Sequence, residues 1–333
     1  MIMKVYFFKR KPFDTQYSIE LLFKTVINSL PGDINTKVIE CSRHNSGILN
    51  KMYNIIEVLF KKQGDVNHIT GDVHYLAYFL NHKKTVLTIH DLNLLYSGNK
   101  LKKLIHQRFW LKWPINCAKI VTAISSTTKK DIVKFTNCDP AKIHVVYNCV
   151  PSHFNPKPKA FNKQKPTILH IGTKPNKNLT GLIRAIEGIN CRLEIVGQPS
   201  DEAQVLLNKF EIDHQIQSGL SDEAIFQKYV SCDIVSFVSF FEGFGLPIVE
   251  ANSVERVVVT SNISCMPEIA GNAACLVNPY DVASIRAGLL KIIRDDSYRE
   301  QLIINGRMNK QRFSPREISR QYAELYRMIH FKN

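Results

Sequence analysis

The chain has 333 residues, 44% of them hydrophobic and 22% charged, with a formal net charge of +15; that length exceeds one ordinary hydrophobic core, so two domains of roughly 150 residues each are expected. No apolar run approaches the ~18 to 20 residues that a helical membrane span needs, which excludes an integral helical membrane protein. The charge is lopsided: residues 1–160 hold 24 Lys and Arg against 10 Asp and Glu, whereas residues 161–333 hold 20 against 19, and this points the front half at an anionic partner such as a membrane surface, a phosphorylated lipid or a nucleic acid.

The N-terminus, MIMKVYFFKRKPF, lacks an apolar h-region and a small-residue cleavage site, so it reads as a first strand rather than a signal peptide. Further strands are expected at 37–40, 66–70, 85–90, 120–124 and 143–147, and then at 167–172, 192–197, 233–238, 257–260 and 274–277, with helix-like segments between them. Continuous apolar strands alternating with helices mean parallel sheets covered on both faces, the doubly wound α/β pattern. The stretch PSHFNPKPKAFNKQKP (151–166), with four prolines and no helical period, predicts a linker between two such sheets. Ligands in this architecture bind beyond the carboxyl ends of the strands, so a cleft between two facing Rossmann-like domains is the expected site. Eight cysteines are scattered without CxxC spacing, which favours reduced thiols in a cytosolic protein over a zinc site.

Four stretches carry candidate chemistry. VLTIHDLNLL (86–95) places His90 and Asp91 at the end of a buried strand. LKKLIHQRFWLKW (101–113) spaces Leu101, Ile105, Phe109 and Trp113 four apart among Lys102, Lys103, Arg108 and Lys112, the composition of an interfacial basic helix or of an ordinary packed one. ILHIGTKPNKNLTGLIRAI (168–186) is a strand, a loop with Gly172 and two lysines, and a helix; Lys177 at the helix entrance is the residue to neutralise a diphosphate. SFFEGFGLPIVEAN (239–252) runs from a buried strand into a glycine turn and a helix with Pro247 in its first turn. The helix start attracts an anion, and Glu242 and Glu250 beside it suit neutral hydroxyls, those of a sugar and a ribose.

With its Glu-x7-Glu spacing, EGFGLPIVEA, followed by MPEIAGNAACLVNPYD (266–281), closely resembles the retaining glycosyltransferases of family 4, which have the GT-B fold. The resemblance extends over most of residues 165–330 and more loosely over 66–150. It implies an acceptor-binding domain at 1–155, a nucleotide-sugar donor domain at 156–315 and a C-terminal helix at 316–333 returning to the first domain. Glu242 would contact the donor sugar's hydroxyls, and Glu250 the ribose. Gly243, Phe244, Gly245 and Leu246 would offer backbone groups to the sugar and diphosphate, and Lys177 a cation. Thr173 stands where many members carry arginine, leaving Lys174 as the alternative second cation. His90 would reach the donor sugar near the reaction centre, and Asp91 would either orient it or touch the acceptor.

Besides Thr173, three departures from the family pattern are visible: 251–259 lacks the usual glycine and proline, the first loop (8–20) lacks a glycine pair, and Cys149 replaces a glycine. The implied activity is transfer of a sugar from a nucleotide diphosphate sugar to a glycan or lipid-linked acceptor, in bacterial polysaccharide or lipopolysaccharide biosynthesis. Neither cofactor nor metal is expected, since no DxD is present. The protein is expected to be cytoplasmic, with peripheral contact at the inner face of an anionic membrane, and to bind no nucleic acid. The competing readings are a GT-B sugar-nucleotide hydrolase or epimerase, and a basic nucleic-acid-binding protein.

Overall fold

The computed structural model describes residues 2–12, 18–61, 63–92 and 100–331. Phe13–Tyr17 of the first loop, Asn93–Leu95 and the side chains of Leu101 and Lys102 lie outside the described residues. The chain forms two compact units, Met1–Pro151 with Pro315–Asn333, and Ser152–Ser314.

The first unit holds a six-stranded parallel sheet of β1 (Met3–Lys9), β2 (Ile34–Glu40), β3 (Val66–Ile69), β4 (Thr85–Ile89), β5 (Ile120–Ala123) and β6 (Ile143–Val145), in the order β2-β1-β3-β4-β5-β6. Side chains alternate across it, so both faces must be covered. On one face Met3, Val5, Phe7 and Val86 pack against Phe23 and Val26 of helix α1 (Ser18–Asn28) and against Tyr322 and Tyr326 of the C-terminal helix Pro315–His330. On the other, Phe8, Ile39, Ile69, Leu87, Ile89 and Val121 pack under Leu76, Leu111 and Ile115. The C-terminal helix is fixed to this sheet by polar bonds as well as apolar burial. His68 Nδ1 lies 2.7 Å from Tyr326 Oη and its Nε2 2.7 Å from Thr88 Oγ1, while Ser319 Oγ donates to Val26 O at 2.9 Å. Burial pushes His68 down to about 3, so this network is built around a neutral imidazole.

The second unit repeats the pattern with β7 (Thr167–Ile171), β8 (Arg192–Val196), β9 (His214–Gln217), β10 (Ile234–Phe237), β11 (Val257–Ser261) and β12 (Cys275–Val277), ordered β12-β11-β10-β7-β8-β9, all parallel. The sequence reading missed β9: HQIQ is half-buried at the sheet edge and has no apolar run to announce it. The proline-rich stretch 151–166 packs onto this unit. Phe154 meets Phe226 and Tyr229 edge-on, and Asp233, buried ahead of β10, accepts from Lys159 Nζ (2.6 Å) and from the Asn162 and Thr167 amides.

Segment 101–113 departs from a plain α-helix: Lys100–Ile105 gives way to a π-helix over His106–Lys112 and a last turn at Trp113–Asn116. The wider π turn breaks the four-residue register, and Phe109 and Trp113 meet edge-on at 4.5 Å rather than continuing a straight stripe. All eight cysteines are free thiols, and each is buried except the half-buried Cys117. Burial raises Cys41, Cys149 and Cys232 to about 12.

The segment 251–259, which contains no glycine, makes a left-handed turn at Glu255 (φ 63°). Neighbouring Arg256 is buried, and its guanidinium donates to the carbonyls of Cys232 (3.0 Å), Val254 (2.8 Å) and Val230 (2.6 Å), tying the turn to the end of the helix Asp222–Ser231. Removing it orphans three carbonyls, so Arg256→Met should lower the unfolding free energy by roughly 2 to 4 kcal/mol in urea titrations. An unchanged midpoint would show that water replaces the guanidinium.

Candidate functional site

Strand order reverses direction once in each sheet, between β7 and β10 in the second unit and between β1 and β3 in the first. At such a point the loops leaving adjacent strands run to opposite faces and leave a crevice at their carboxyl ends.

In the second unit that crevice is lined by the loops after β7 and β10. The first turns tightly at Gly172 (φ 89°), where a Cβ would sit 3.1 Å from Lys177 Cε, and then forms a 3-10 turn at Pro175–Lys177. Lys177 Nζ lies 2.6 Å from Glu242 Oε1, the pair being mostly shielded from solvent, and the ammonium also stands 4.9 Å from the Phe237 ring centroid. Asn176 Nδ2 donates to the same Glu242 oxygen at 3.2 Å. Asn176 O accepts from the Phe240 amide at 2.8 Å, so the two loops are bonded along backbone and side chain alike. Ser264, after β11, supports Glu242 from the far side: its hydroxyl accepts from the Glu242 amide (3.3 Å) and donates to the Glu242 carbonyl (3.0 Å). His170, at the end of β7, is pushed down to about 4 by burial and by the Lys177 charge, so the cation has a neutral imidazole beside it.

Asn178 follows in the left-handed region (φ 59°) and is buried. Its amide donates to Val238 O (3.1 Å) and Pro279 O (2.8 Å), binding the loops after β7, β10 and β12 together. Gly181 makes room for it, since a Cβ there would lie 2.3 Å from Asn178 Oδ1. At the mouth of these loops Phe240 and Tyr280 stack at 4.9 Å.

Gly245 (φ 106°) starts the helix Leu246–Ser253, which has Pro247 in its first turn and no side-chain cap. Its leading N–H groups are therefore of the kind that a bound anion satisfies. Phe244 contributes only its backbone: the ring is buried edge-on against Phe313, and its carbonyl accepts from Cys265 Sγ. Gly243 and the half-buried Leu246 complete the turn. Glu250, one turn inside, does not share the Lys177–Glu242 pair; its Oε2 accepts from the buried Tyr229 hydroxyl. Burial raises the Glu250 carboxyl to about 7 despite that bond. Thr173 packs against Gly197 (φ 128°), whose Cβ would fall 2.9 Å from Thr173 Oγ1, and Lys174 is exposed.

In the first unit, Arg10 follows β1, Asp72 follows β3, and His90 follows β4. Buried Arg10 forms ion pairs with Glu20 (2.8 Å) and Asp72. His90 Nε2 lies 2.7 Å from Thr70 O and presses on Gly71 (φ 134°), where a Cβ would come within 2.6 Å of the ring. Burial lowers His90, opposed by the Thr70 carbonyl and the Asp72 and Asp91 charges. Asp91 itself is exposed.

The sequence reading thus found Lys177, Glu242, Glu250 and His90 but missed Asn176, Asn178, Ser264, Tyr229, Arg10 and Asp72. An asparagine on each side of Lys177 was the available signal for the first two, since asparagine tolerates left-handed backbone. The rest depend on contacts across 20 or more residues. Among the described residues no three His, Cys, Asp or Glu side chains are gathered as a metal site.

The family model for glycosyl transferases group 1 matches residues 152–309, and that for glycosyltransferase family 4 matches residues 37–154. The chain belongs to this glycosyltransferase family. The glycosyltransferase is 26% identical over 289 residues to O-antigen chain mannosyltransferase B of Escherichia coli, covering 77% of this chain and 74% of that one. It is 29% identical over 220 residues to O-antigen chain mannosyltransferase RfbU of Salmonella typhimurium, covering 63% of this chain and 61% of the relative. Anabaena HepE, solved with UDP and glucose, superposes with a TM-score of 0.78 at 17% identity, over 97% of the glycosyltransferase and 99% of HepE. WaaG, a glycosyltransferase involved in lipopolysaccharide biosynthesis, does so with 0.70 at 14% identity, over 97% and 99%. The two-domain α/β fold is therefore GT-B.

The Glu250 carboxyl provides a direct test of this geometry. Its folded value lies above the ordinary 4.5, so the stability it contributes is complete below pH 4.5 and is lost as the pH rises through 7. Between pH 5 and pH 8 the urea midpoint of the wild type should therefore fall more than that of Glu250→Gln. Parallel curves would place the carboxyl in water.

Proposed function

We propose that the glycosyltransferase transfers a hexosyl unit from a nucleotide diphosphate sugar, with retention, to a lipid-linked glycan in bacterial surface polysaccharide assembly. The observation that carries this reading is the Lys177–Glu242 pair at the strand-order reversal, 2.6 Å long and shielded. A largely shielded cation together with an uncapped helix start is suited to the charge that develops on a departing diphosphate. In the resting protein Glu242 occupies that cation. Donor binding would transfer Lys177 from the carboxylate to the diphosphate and release Glu242 to accept from sugar hydroxyls. Glu250, pulled inward with Tyr229, takes the ribose hydroxyls; the amides of Gly243 to Leu246 face the diphosphate; and Thr173 with Lys174 forms the outer wall. His90, neutral through burial, approaches the sugar near the reaction centre, and Asp91 stands on the acceptor side. No nucleophile is assigned.

Relatives named as O-antigen chain mannosyltransferases make mannose the first donor sugar to test. A Campylobacter jejuni relative, 25% identical over 252 residues, covering 71% of this chain and 68% of the relative, is named for a diphospho-undecaprenol-linked acceptor. That supports a lipid-linked acceptor here, and hence work at the anionic inner face of a membrane. Among the described residues no helix is long and apolar enough to cross one.

Two outcomes follow. Lys177→Met and Glu242→Gln should each lower kcat/KM by at least ~10²-fold with unchanged thermal melting; wild-type turnover in either would remove the pair from the site. Transfer in the presence of EDTA should match that in its absence, because the reading assigns the diphosphate charge to Lys177, and a loss restored by a divalent cation would refute that assignment. A thermal-shift series with UDP, GDP and ADP sugars would identify the donor base.

A further inference from the structure

Helix α2 (Ile48–Leu59) is packed the wrong way round for a globular protein. The side chains turned inward are Asn54 and Val58, with Lys51 and Ile55 half-buried, and the Asn54 amide is consumed in bonds to Arg43 N and O (3.1 and 3.0 Å) and to Tyr75 Oη (3.1 Å). Turned outward are Ile48, Leu49, Met52, Tyr53, Ile56, Leu59 and the following Phe60, with exposures from 50% for Tyr53 to 87% for Phe60. Residues spaced three and four apart share one helical face, and the steps 48–52–56–59/60 and 49–53–56 make these a continuous stripe over three turns. A contiguous apolar surface of this kind on a soluble chain marks an interface.

A second exposed apolar set lies on a neighbouring element. Lys51 Nζ lies 4.1 Å above the Trp110 ring, joining α2 to the π-helical segment His106–Lys112, and along 104–113 Leu104, Ile105, Phe109 and Trp113 are exposed. Charge along these two segments is mostly basic. From residue 41 to 61 the sequence holds Arg43, Lys51 and Lys61 against one acid, Glu57, and Glu57 is turned toward Ser42 and paired with Lys61 at 3.4 Å. From 100 to 113 there are five bases and no acid. Exposed Arg43 and Arg108 lie over the Tyr53 and Trp113 rings, at 5.2 and 5.5 Å, so cations and aromatics are interleaved at the rim.

We propose that this face, α2 together with 104–113, inserts into the headgroup region of an anionic lipid bilayer. Outward aliphatic side chains, rim aromatics and a predominantly basic border are what such an interface selects. A soluble partner of matching charge would also suit the border; the bilayer is favoured because the apolar stripe is flanked by Trp, Tyr and Phe as well as by cations. The proposal rests on the reading that the acceptor is lipid-linked, and specifies where the enzyme meets that lipid surface.

The test is co-sedimentation of the full chain with vesicles of phosphatidylglycerol and of phosphatidylcholine, using the wild type and the double variant Met52→Glu, Ile56→Glu. Both positions point outward, and a circular dichroism melt checks folding. The wild type should bind the anionic vesicles at least 10-fold more tightly than the zwitterionic ones, and the double variant should lose at least 10-fold on the anionic vesicles. Equal binding by wild type and variant, or a wild type that forms a concentration-dependent dimer broken by the double variant while ignoring vesicles, would overturn the proposal. Thermal shifts with UDP and GDP on the same samples separate the two claims: shifts without vesicle binding sink the docking face alone, whereas vesicle binding without either shift supports the docking face and counts against the proposed donor site.

Discussion

The reversal of strand order is the constraint on which the rest of each unit depends. In a parallel sheet every strand ends on the same side, and only where neighbouring connections turn to opposite faces does backbone withdraw enough to leave space. Both sheets fill that space with a cation and a carboxylate: Arg10 with Asp72 and Glu20 in the first, Lys177 with Glu242 in the second. Neither pair is built from neighbours in sequence. Arg10 with Asp72 and Lys177 with Glu242 each join loops that the sheet brings together, and Glu20 adds a second carboxylate to Arg10 from α1.

Rigidity at the second crevice comes from polar groups used as struts. Asn178 spans three loops with one buried amide, and Gly181 is the vacancy that lets it do so. Ser264 holds Glu242 by both backbone groups, while Lys177 and Asn176 hold its carboxylate. The Asn178 bonds between the loops do not involve the Lys177 ammonium. Glu250 differs: burial raises its carboxyl to about 7 although it accepts from the Tyr229 hydroxyl.

Eleven of the strands were legible because parallel strands buried on both faces must be runs of Val, Ile and Leu. β9 was not, because an edge strand such as HQIQ needs no such run. The EGFGLPIVEA turn was legible for a similar reason: glycine conformation, helix start and carboxylates lie within ten residues, so local chemistry carries the pattern. Illegible features were of two kinds. Some, like Arg10 with Asp72 or Tyr229 with Glu250, join distant residues, and no spacing announces them. Others turned on a choice the pattern leaves open: the period of α2 shows an apolar face but not that this face looks outward, and the four-residue spacing of 101–113 does not reveal a π turn. Glu255 in a left-handed turn belongs here too, because Arg256 secures from the side a conformation that glycine would have allowed for free.

The cysteines have a consequence for watching this molecule move. Seven of the eight thiols are buried, spread over both units, with burial holding several far from their reactive thiolate form. A thiol reagent can reach them only when the surrounding structure opens, so the rate at which each is labelled measures the opening of its own neighbourhood. Cys149 reports on the strand-end packing beneath the C-terminal helix, Cys232 on the base of β10, and Cys265 on the wall behind Glu242, so the native chain carries a set of built-in reporters for local unfolding at places where an introduced probe would disturb the core.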